Sequence, residues 1–522
     1  MIVLDARGAL PLYVRIYNQI KSDILGGEIA PGAKLPSGRA LSSELCVSRN
    51  TVDLAYSRLA DEGFIAGVPR VGYFAETPDA FLAPAKEFDE AEGAKERRGA
   101  ESIKSAKEFH GAGSAKSTEG TKGTKGVEDA DYGDVKFDFR GDRLLPDELP
   151  RTRWQKLIMR SFWENDTANL SRRERFDDDA GLRDEIRKYV YRFRNIECET
   201  FQIFPAADEL ACLELVCLLF KSRNIGPRIG MENPCSDRHR RTFSRNGFDV
   251  CPVALDAKGA SLGPVEAADV GAVHLSPSCH FPTGAVMARS RRDEFADWAR
   301  SNDTYIIEND DGYHYYYGQR PLPAIHSLCP ENVVYIAGLS DVLFPGGTAS
   351  WMILPTDMAS ELRARLEDRE PLVPFLTRRP LELYMRDGRL ESHLRRMRRR
   401  QGLKREALIG ALTETFGSRI SVSDTKAGTH ILVRIKSTVG EDELVEQARR
   451  AGVALCPTSR YRHNGADAGD GSNEVDAADA GDRNRKVDGA ALLLRCGGIR
   501  LEDIPRAVRS LGEAWAEPSP RP

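Results

Sequence analysis

Residues 335–355 read YIAGLSDVLFPGGTASWMILP and contain the clearest indication of the fold. Both of its ends are apolar and contain β-branched or aromatic residues, a composition that favours β-strands. Pro345, Gly346 and Gly347 interrupt this pattern and break the backbone between the two ends. The stretch therefore predicts a strand, a tight loop and a second strand, with Ser340 and Asp341 beside the loop.

Further apolar segments of strand length lie around this stretch. With the two predicted strands of the opening stretch, the apolar segments are residues 229–231, 249–253, 272–275, 305–307, 333–336 and 350–354. Segments of helical length lie between them. Such alternation is typical of an α/β domain with a mostly parallel sheet. We therefore predict an α/β domain over residues 135–522.

The composition narrows the class of protein. A chain of 522 residues is too long for one ordinary domain, and 41% hydrophobic with 30% charged residues is normal for a soluble globular protein. No apolar run reaches the roughly 18 residues of a membrane span, and the N-terminus lacks the pattern of a signal peptide. We therefore expect a cytoplasmic protein with no membrane partner.

The net charge and the cysteines limit the possible sites. A net charge of −4 gives no global basic field, so any contact with nucleic acid must come from a local patch. The ten cysteines form no C-x-x-C pair and no cluster with the spacing of zinc ligands. We therefore expect free thiols and no metal site.

Residues 1–76 have the pattern of a small DNA-reading head. Residues 12–25 carry apolar side chains at every fourth position, which predicts a helix with one buried face. Ser37 and Ser48 suit the N-caps of a second and a third helix, and residues 64–75 read as a small hairpin. This order of elements predicts a winged helix-turn-helix whose third helix enters the major groove.

The motifs of the head resemble the GntR family of DNA-binding regulators. They are GAKLPSGR at 32–39, VSRNTV at 47–52 and LADEG at 59–63. The resemblance implies that Arg39, Arg49, Asn50 and Thr51 face double-stranded DNA, with Arg70 at the tip of the wing. Ser48 opens the same helix, where Arg49 can pair with guanine and Asn50 with adenine. Arg39 and Arg70 suit phosphate or minor-groove contacts.

Two segments are low in large apolar residues. Residues 77–134 are rich in Lys, Glu, Ala, Gly, Ser and Thr, so they cannot bury enough surface to offset their chain entropy. We expect them to form a flexible linker. Residues 465–489 are rich in Asp, Ala, Gly and Asn, and we expect a disordered insert there.

The α/β region resembles the fold-type I aminotransferase domain of MocR-type regulators. Besides the opening stretch, the matching motifs are SPSCHFPTG at 276–284, RPLPA at 320–324, GRLESHLRRMRR at 388–399 and GTH at 428–430. The resemblance implies a smaller α+β lobe over about residues 400–522. It also implies a homodimer, in which two heads read a repeated operator, and a possible small-molecule effector.

The chain departs from the family at the positions that would hold pyridoxal 5'-phosphate. Ser340 is kept, but Asp341 stands where the family has the lysine that forms the imine, and Thr348 stands where it has the phosphate-binding arginine. Asp208 lies in the phosphate-binding turn. Asn309 replaces the acid on the ring nitrogen, Asp311 the ring phenol and Ser236 the aromatic residue near the ring. A carboxylate cannot form a Schiff base, so we expect no catalytic residue and no bound cofactor.

Three functions remain open from the sequence. The first is a DNA-binding transcription regulator whose aminotransferase-like domain senses an effector and dimerises without covalent pyridoxal phosphate. The second is a regulator that responds to non-covalent pyridoxal phosphate, and the third is an active aminotransferase, which Asp341 argues against. The acids at the cofactor positions are either surface or capping groups in a former site that other side chains fill, or part of a ligand pocket that prefers cations.

Overall fold

The computed structural model describes residues 11–45, 47–62, 64–68, 71–76, 135–141, 143–165, 170–318, 321–344, 347–423, 427–463 and 490–516. The predicted linker at 77–134 and the predicted insert at 465–489 lie outside the described residues. So does Arg70, the predicted wing-tip contact.

The head is a winged helix-turn-helix, as predicted. Its elements are helices α1 (Leu12–Leu25), α2 (Gly38–Glu44) and α3 (Arg49–Asp61), and strands β1 (Ile65–Val68) and β2 (Gly72–Ala75). The Ser37 side chain accepts a hydrogen bond from Ala40 N at 3.1 Å and so caps α2. Apolar side chains spaced along α1 and α3 meet in a buried core that includes Ile16, Ile20, Val52 and Leu59.

The larger region is built on one eight-stranded sheet, in the strand order β4-β11-β10-β9-β8-β5-β6-β7. The strands are β4 (Ile203–Ala206), β5 (Arg228–Asn233), β6 (Asp249–Asp256), β7 (Gly259–Ala260), β8 (Ala272–Leu275), β9 (Tyr305–Asn309), β10 (Val333–Gly338) and β11 (Ser350–Ile353). The five strands from β10 to β6 in this order pair in parallel. The predicted α/β class with a mostly parallel sheet is confirmed.

The opening stretch forms the predicted strand, loop and strand. Strands β10 and β11 pair antiparallel, with Tyr335 opposite Ile353, and all their residues are buried. Continuous apolar runs are what strands buried on both faces require. Trp351 and Met352 belong to different apolar clusters, because successive side chains of a strand point to opposite faces of the sheet.

Helices cover both faces of this sheet. The described ones are α4 (Arg151–Trp163), α5 (Ala180–Arg194), α6 (Glu209–Ser222), α7 (Asp237–Arg245), α8 (Leu262–Ala268), α9 (Arg289–Asn302), α10 (Thr356–Leu366), α11 (Phe375–Arg386) and α12 (Arg389–Phe416). Helix α12 has 28 residues and is about 40 Å long. The predicted start of the small lobe, near residue 400, falls within this helix. Among the described helices, none is both long enough and apolar enough to cross a bilayer.

The small lobe has a four-stranded sheet in the order β12-β13-β16-β15. Its elements are β12 (Ile420–Val422), β13 (His430–Ile435), α13 (Glu441–Arg450), β14 (Val453–Ala454), β15 (Cys456–Pro457), β16 (Ala490–Arg495) and α14 (Ile504–Ala514). Strand β3 (Phe137–Asp138) pairs in parallel with β14, and Phe139 is buried in the core of this lobe. Residues far apart in sequence therefore close the lobe.

Candidate functional site

A cavity of about 830 Å³ lies where the parallel strands end and face the small lobe. The ends of β5, β8, β9 and β10 contribute one wall, and small-lobe residues such as Thr429, His430 and Arg495 contribute another. The carboxyl ends of parallel strands are the usual place for a ligand in an open α/β sheet. A volume of this size suits a small molecule.

The structure brings six of the seven predicted cofactor positions together in this cavity. Asp208, Ser236, Asn309, Asp311, Ser340 and Asp341 all line it. Thr348 is buried and does not line the cavity, and its hydroxyl has no hydrogen-bond partner among the described residues.

The start of helix α6 is capped by its own acidic side chain. The Asp208 carboxylate accepts a hydrogen bond from Ala211 N at 2.8 Å, and Glu209 occupies the first turn. Carboxylates suit a helix N-terminus because its free N–H groups carry partial positive charge. The same groups are the usual partners of a bound phosphate.

Glu209 is half-buried at the centre of a polar cluster. It accepts a hydrogen bond from Asn309 Nδ2, and its Oε1 lies 3.0 Å from His239 Nε2. Burial lowers the pKa of His239 to about 4, so the ring is neutral. Burial also raises the pKa of Glu209 to about 7, while hydrogen bonding to Asp311 opposes the shift.

Asp311 and Asp341 complete a group of three half-buried carboxyl groups with Glu209. The pKa of Asp311 is well above its usual value, first because of burial and then because of the neighbouring Glu209 charge. Burial also raises the pKa of Asp341. These groups therefore hold fewer negative charges near neutral pH than their number suggests.

A fourth buried carboxyl group, Glu232, lies at the end of β5. It accepts a hydrogen bond from Ser276 N at 2.7 Å, and burial raises its pKa to about 8. The cavity is also lined by Glu232, His239 and His274, which no sequence pattern singled out. Glu232 and His274 lie in apolar strands. The one signal for them in the sequence is that an ionisable side chain interrupts an apolar run.

The backbone around Asp341 is fixed by two side chains. The Tyr315 hydroxyl donates to the Asp341 carbonyl oxygen at 2.8 Å, and His393 Nε2 hydrogen-bonds the Val342 carbonyl oxygen. Among the described residues, no lysine lines the cavity. Lys404 is buried elsewhere, and its ammonium donates to Glu148 and to the Gly497 carbonyl, both at 2.8 Å.

The predicted DNA contacts lie at the start of α3 and on α2. Ser48 caps α3 by accepting from Thr51 N at 3.2 Å, and the two hydroxyls are 2.8 Å apart. Arg39, Arg49 and Asn50 are exposed, and Thr51 is half-buried. A Cβ atom on Gly38 would come within 2.7 Å of Asp53 Oδ1, so the start of α2 packs closely against α3.

Comparison with known proteins assigns the head. The family described as "Bacterial regulatory proteins, gntR family" matches residues 12–74. Over 88% of this chain and 89% of its own length, the probable rhizopine catabolism regulatory protein MocR of Rhizobium meliloti is 23% identical. The pyridoxine biosynthesis transcriptional regulator PdxR of Corynebacterium glutamicum is 24% identical over 91% of this chain and 95% of its own. The head therefore matches the GntR family, and the chain as a whole is similar to MocR-type regulators.

Solved structures agree on the fold of the larger region. The α-aminoadipate aminotransferase LysN of Thermus thermophilus superposes with a TM-score of 0.60 and 19% identity, covering 73% of this chain and 92% of its own. The Pyrococcus horikoshii kynurenine aminotransferase gives 0.61 and 18%, covering 73% and 90%. At this identity the likeness shows the fold, and the region is aminotransferase-like.

The head contacts helix α12 of the aminotransferase-like region. Arg395 Nη2 lies 3.4 Å from Glu62 Oε2, and its guanidinium lies 4.5 Å from the centre of the Phe64 ring. The Tyr17 hydroxyl donates to Glu62 and lies 3.4 Å from Ser392 Oγ. Burial alone would raise the pKa of Glu62, but the hydrogen bond from Tyr17 and the charge of Arg395 lower it.

Proposed function

We propose that this DNA-binding transcription regulator uses its aminotransferase-like domain to sense an effector, without covalent pyridoxal phosphate. One observation carries the proposal. Helix α12 contacts both the loop beside Asp341, through His393, and the C-terminal end of the recognition helix, through Arg395 and Glu62. A change of the cavity loop therefore has a short physical path to the DNA-reading head.

The cavity residues do not fit covalently held pyridoxal phosphate. An imine needs an amine beside the aldehyde, whereas Asp341 offers a carboxylate. The start of α6 is capped by Asp208, and Glu209 beside it would repel a phosphate dianion. Asn309 donates its amide hydrogen to Glu209, and an amide cannot keep a ring nitrogen protonated. These losses support a domain without transaminase chemistry.

The geometry of helix α3 supports separate roles for its two ends. Ser48, Arg49 and Asn50 are exposed at the start, about 16 Å along the axis from the end that contacts α12. The start is therefore free to enter a major groove while the other end stays docked. We propose Arg39, Ser48, Arg49, Asn50 and Thr51 as DNA contacts and, from the family resemblance alone, Arg70. Because DNA is the partner, we place the protein in the cytoplasm.

We also propose that the protein is a homodimer. Met159, Phe162 and Trp163 form an exposed apolar surface on α4, and Phe162 packs edge-on against Phe375. Large apolar surfaces exposed on a single chain mark interaction sites. Two heads carried by a dimer would read two half-sites, which one head would bind only weakly.

The test of the effector role uses the reciprocity of coupled sites. If a ligand in the cavity alters the affinity for DNA, DNA must alter the affinity of the cavity for that ligand by the same factor. A change of the cavity loop on DNA binding is therefore expected. An operator duplex is first selected from random DNA with the full chain. Hydrogen exchange of residues 341–344 is then measured with and without this duplex, in the wild type, Arg395→Ala and Arg450→Ala.

We expect the operator to change exchange in this loop in the wild type and in Arg450→Ala, a control that removes an exposed arginine of the small lobe. Arg395→Ala should lose the change because it breaks the contact with Glu62. Selection of no preferred duplex, or a loop that does not respond to the operator in the wild type, would contradict the proposal.

A further inference from the structure

The cavity holds three carboxyl groups from three separate elements. Glu209 starts α6, Asp311 follows β9 and Asp341 follows β10, and all three side chains line the same space. Among the residues that the structure describes, none of the three lies within 4.0 Å of an arginine or lysine nitrogen. All three carboxyl groups are half-buried, and Glu209 and Asp311 hydrogen-bond each other. Removal of a charged carboxyl group from water is costly where no opposite charge lies beside it. A cationic group in the cavity would supply that charge.

A second observation points independently to a polar ligand. His274 is only 2% exposed and lines the cavity, and its Nε2 has no hydrogen-bond partner among the described residues. Its ring lies edge-on to His239, with 5.2 Å between centres, and His239 in turn contacts Glu209. An unsatisfied buried nitrogen costs free energy. A polar group placed between His274 and the carboxyl groups would satisfy it.

The chemistry of the cation follows from the arrangement. Among the described residues, no group of three or more His, Cys, Asp or Glu side chains is placed to hold a metal ion. An alkylammonium group has three N–H donors in a tetrahedral arrangement, so it can serve several carboxyl oxygens at once. The cavity of about 830 Å³ also leaves room for the rest of a small organic molecule.

We propose that this cavity binds a small organic ammonium ion through the carboxyl groups of Glu209, Asp311 and Asp341. The ligand brings its own amine to the place where the resembling family has a lysine, and it binds without a covalent bond. The inference rests on the proposed function in treating this cavity as the effector site, and it adds the chemical class of the effector.

The test measures binding of simple amines to the full chain by titration calorimetry. The probes are 1,4-diaminobutane and butylamine, and 1-butanol is a control of similar shape without the charge. The variants are Asp341→Asn and Glu209→Gln, which remove charge with little change of shape. Asp237→Asn is the matched control, because Asp237 lines the cavity but is already paired with Arg240 and Arg241.

We expect at least one amine to bind the wild type and 1-butanol not to bind. Asp341→Asn and Glu209→Gln should each weaken the amine about tenfold or more, and Asp237→Asn less than about twofold. The inference is overturned if neither amine binds at about 20 mM, if 1-butanol binds as well, or if Asp237→Asn weakens binding as much as Asp341→Asn does.

The calorimetric result is independent of the proposed regulatory role. Amine binding that leaves the affinity for the operator unchanged supports this inference and contradicts the effector role. Absence of amine binding, in a protein whose cavity loop still responds to the operator, contradicts this inference and leaves the regulatory role intact.

Discussion

One buried acid, Glu232, and three half-buried acids determine the electrostatics of the cavity. Burial favours the neutral form of a carboxyl group, and it raises the pKa of Glu209, Glu232, Asp311 and Asp341. These acids are therefore a cost to stability at high pH. Such a cost is retained where side chains serve binding rather than packing.

Replacement of Glu232 by glutamine should stabilise the protein at high pH. Burial raises the pKa of Glu232 from 4.5 to about 8, so the folded chain binds a proton that the unfolded chain has released between these values. The stability that this proton provides is present below pH 4.5 and is lost as the pH rises to about 8. Glu232→Gln keeps an acceptor for Ser276 N and should gain roughly 1–3 kcal/mol at pH 8.

Denaturant unfolding at pH 4 and pH 8 measures this difference. Glu446→Gln is the control, since the hydrogen bond from Arg449 lowers the pKa of Glu446 to about 2, the opposite direction. The raised pKa of Glu232 would be contradicted if Glu232→Gln increased the free energy of unfolding equally at both pH values. It would also be contradicted if Glu446→Gln gave the same increase at pH 8.

At single residues, the sequence anticipated the cavity only in part. Asp311 and Asp341 follow strands that are recognisable from their apolar runs, so their meeting was predictable. Glu232, His239 and His274 were missed because they stand in ordinary strand and helix patterns. The place of Thr348, buried and outside the cavity lining, depends on how a loop is packed, and no local pattern encodes that.

At the scale of elements, the recognition helix and helix α12 matter most. The boundaries of α1 match the predicted residues 12–25, and α3 begins at the predicted Arg49, because Ser48 caps it and its apolar spacing is regular. Helix α12 was recognised only over residues 388–399. The helix is rich in basic residues, and Arg395, Arg398 and Lys404 among them are buried. They are held by Glu62, by the His314 carbonyl and by Glu148, contacts that the sequence does not reveal.

Substitution of Arg49 should weaken binding to the operator. The side chain is 64% exposed at the start of α3 and lies 3.4 Å from Asp53, a weak surface pair that a guanine contact can replace. Arg49→Ala should cost about 1–3 kcal/mol of affinity and relax the preference at one base pair. Fluorescence anisotropy with operator variants measures both effects.

The control for Arg49 is Arg450→Ala. Arg450 is 65% exposed on the small lobe and also pairs with an acid four residues away along its helix, so it matches Arg49 in charge and exposure. Arg450→Ala should leave the affinity for the operator unchanged. Equal losses in the two variants would mean that only net charge matters, and the assignment of Arg49 as a base contact would be wrong.

At the scale of the whole molecule, the cavity, helix α12 and the head form one connected path. The sheet positions the cavity acids, His393 ties α12 to the loop after β10, and Arg395 ties it to the head. The domain order was predictable because each part has its own periodicity and motifs. The docking of the head on α12 was not, since it depends on side chains that are more than 300 residues apart in sequence.

The exposed surface of α4 gives a prediction about assembly. Trp163 is 82% exposed, and tryptophan is enriched at the centres of interfaces. Trp163→Glu should raise the dimer dissociation constant about tenfold or more, as measured by sedimentation velocity over a concentration series. Leu501→Glu, at an isolated residue that is 41% exposed, should sediment like the wild type. A wild type that is monomeric at micromolar concentration would contradict the homodimer.

Borohydride trapping tests most directly whether this chain binds pyridoxal 5'-phosphate covalently. The full-length protein is incubated with pyridoxal 5'-phosphate, reduced with borohydride and analysed by peptide mass spectrometry, with a known aminotransferase treated in parallel. Asp341 provides no amine, and no described lysine lines the cavity. We expect no stoichiometric pyridoxyl adduct on any lysine of residues 135–522. A stoichiometric adduct on one of these lysines would contradict this expectation.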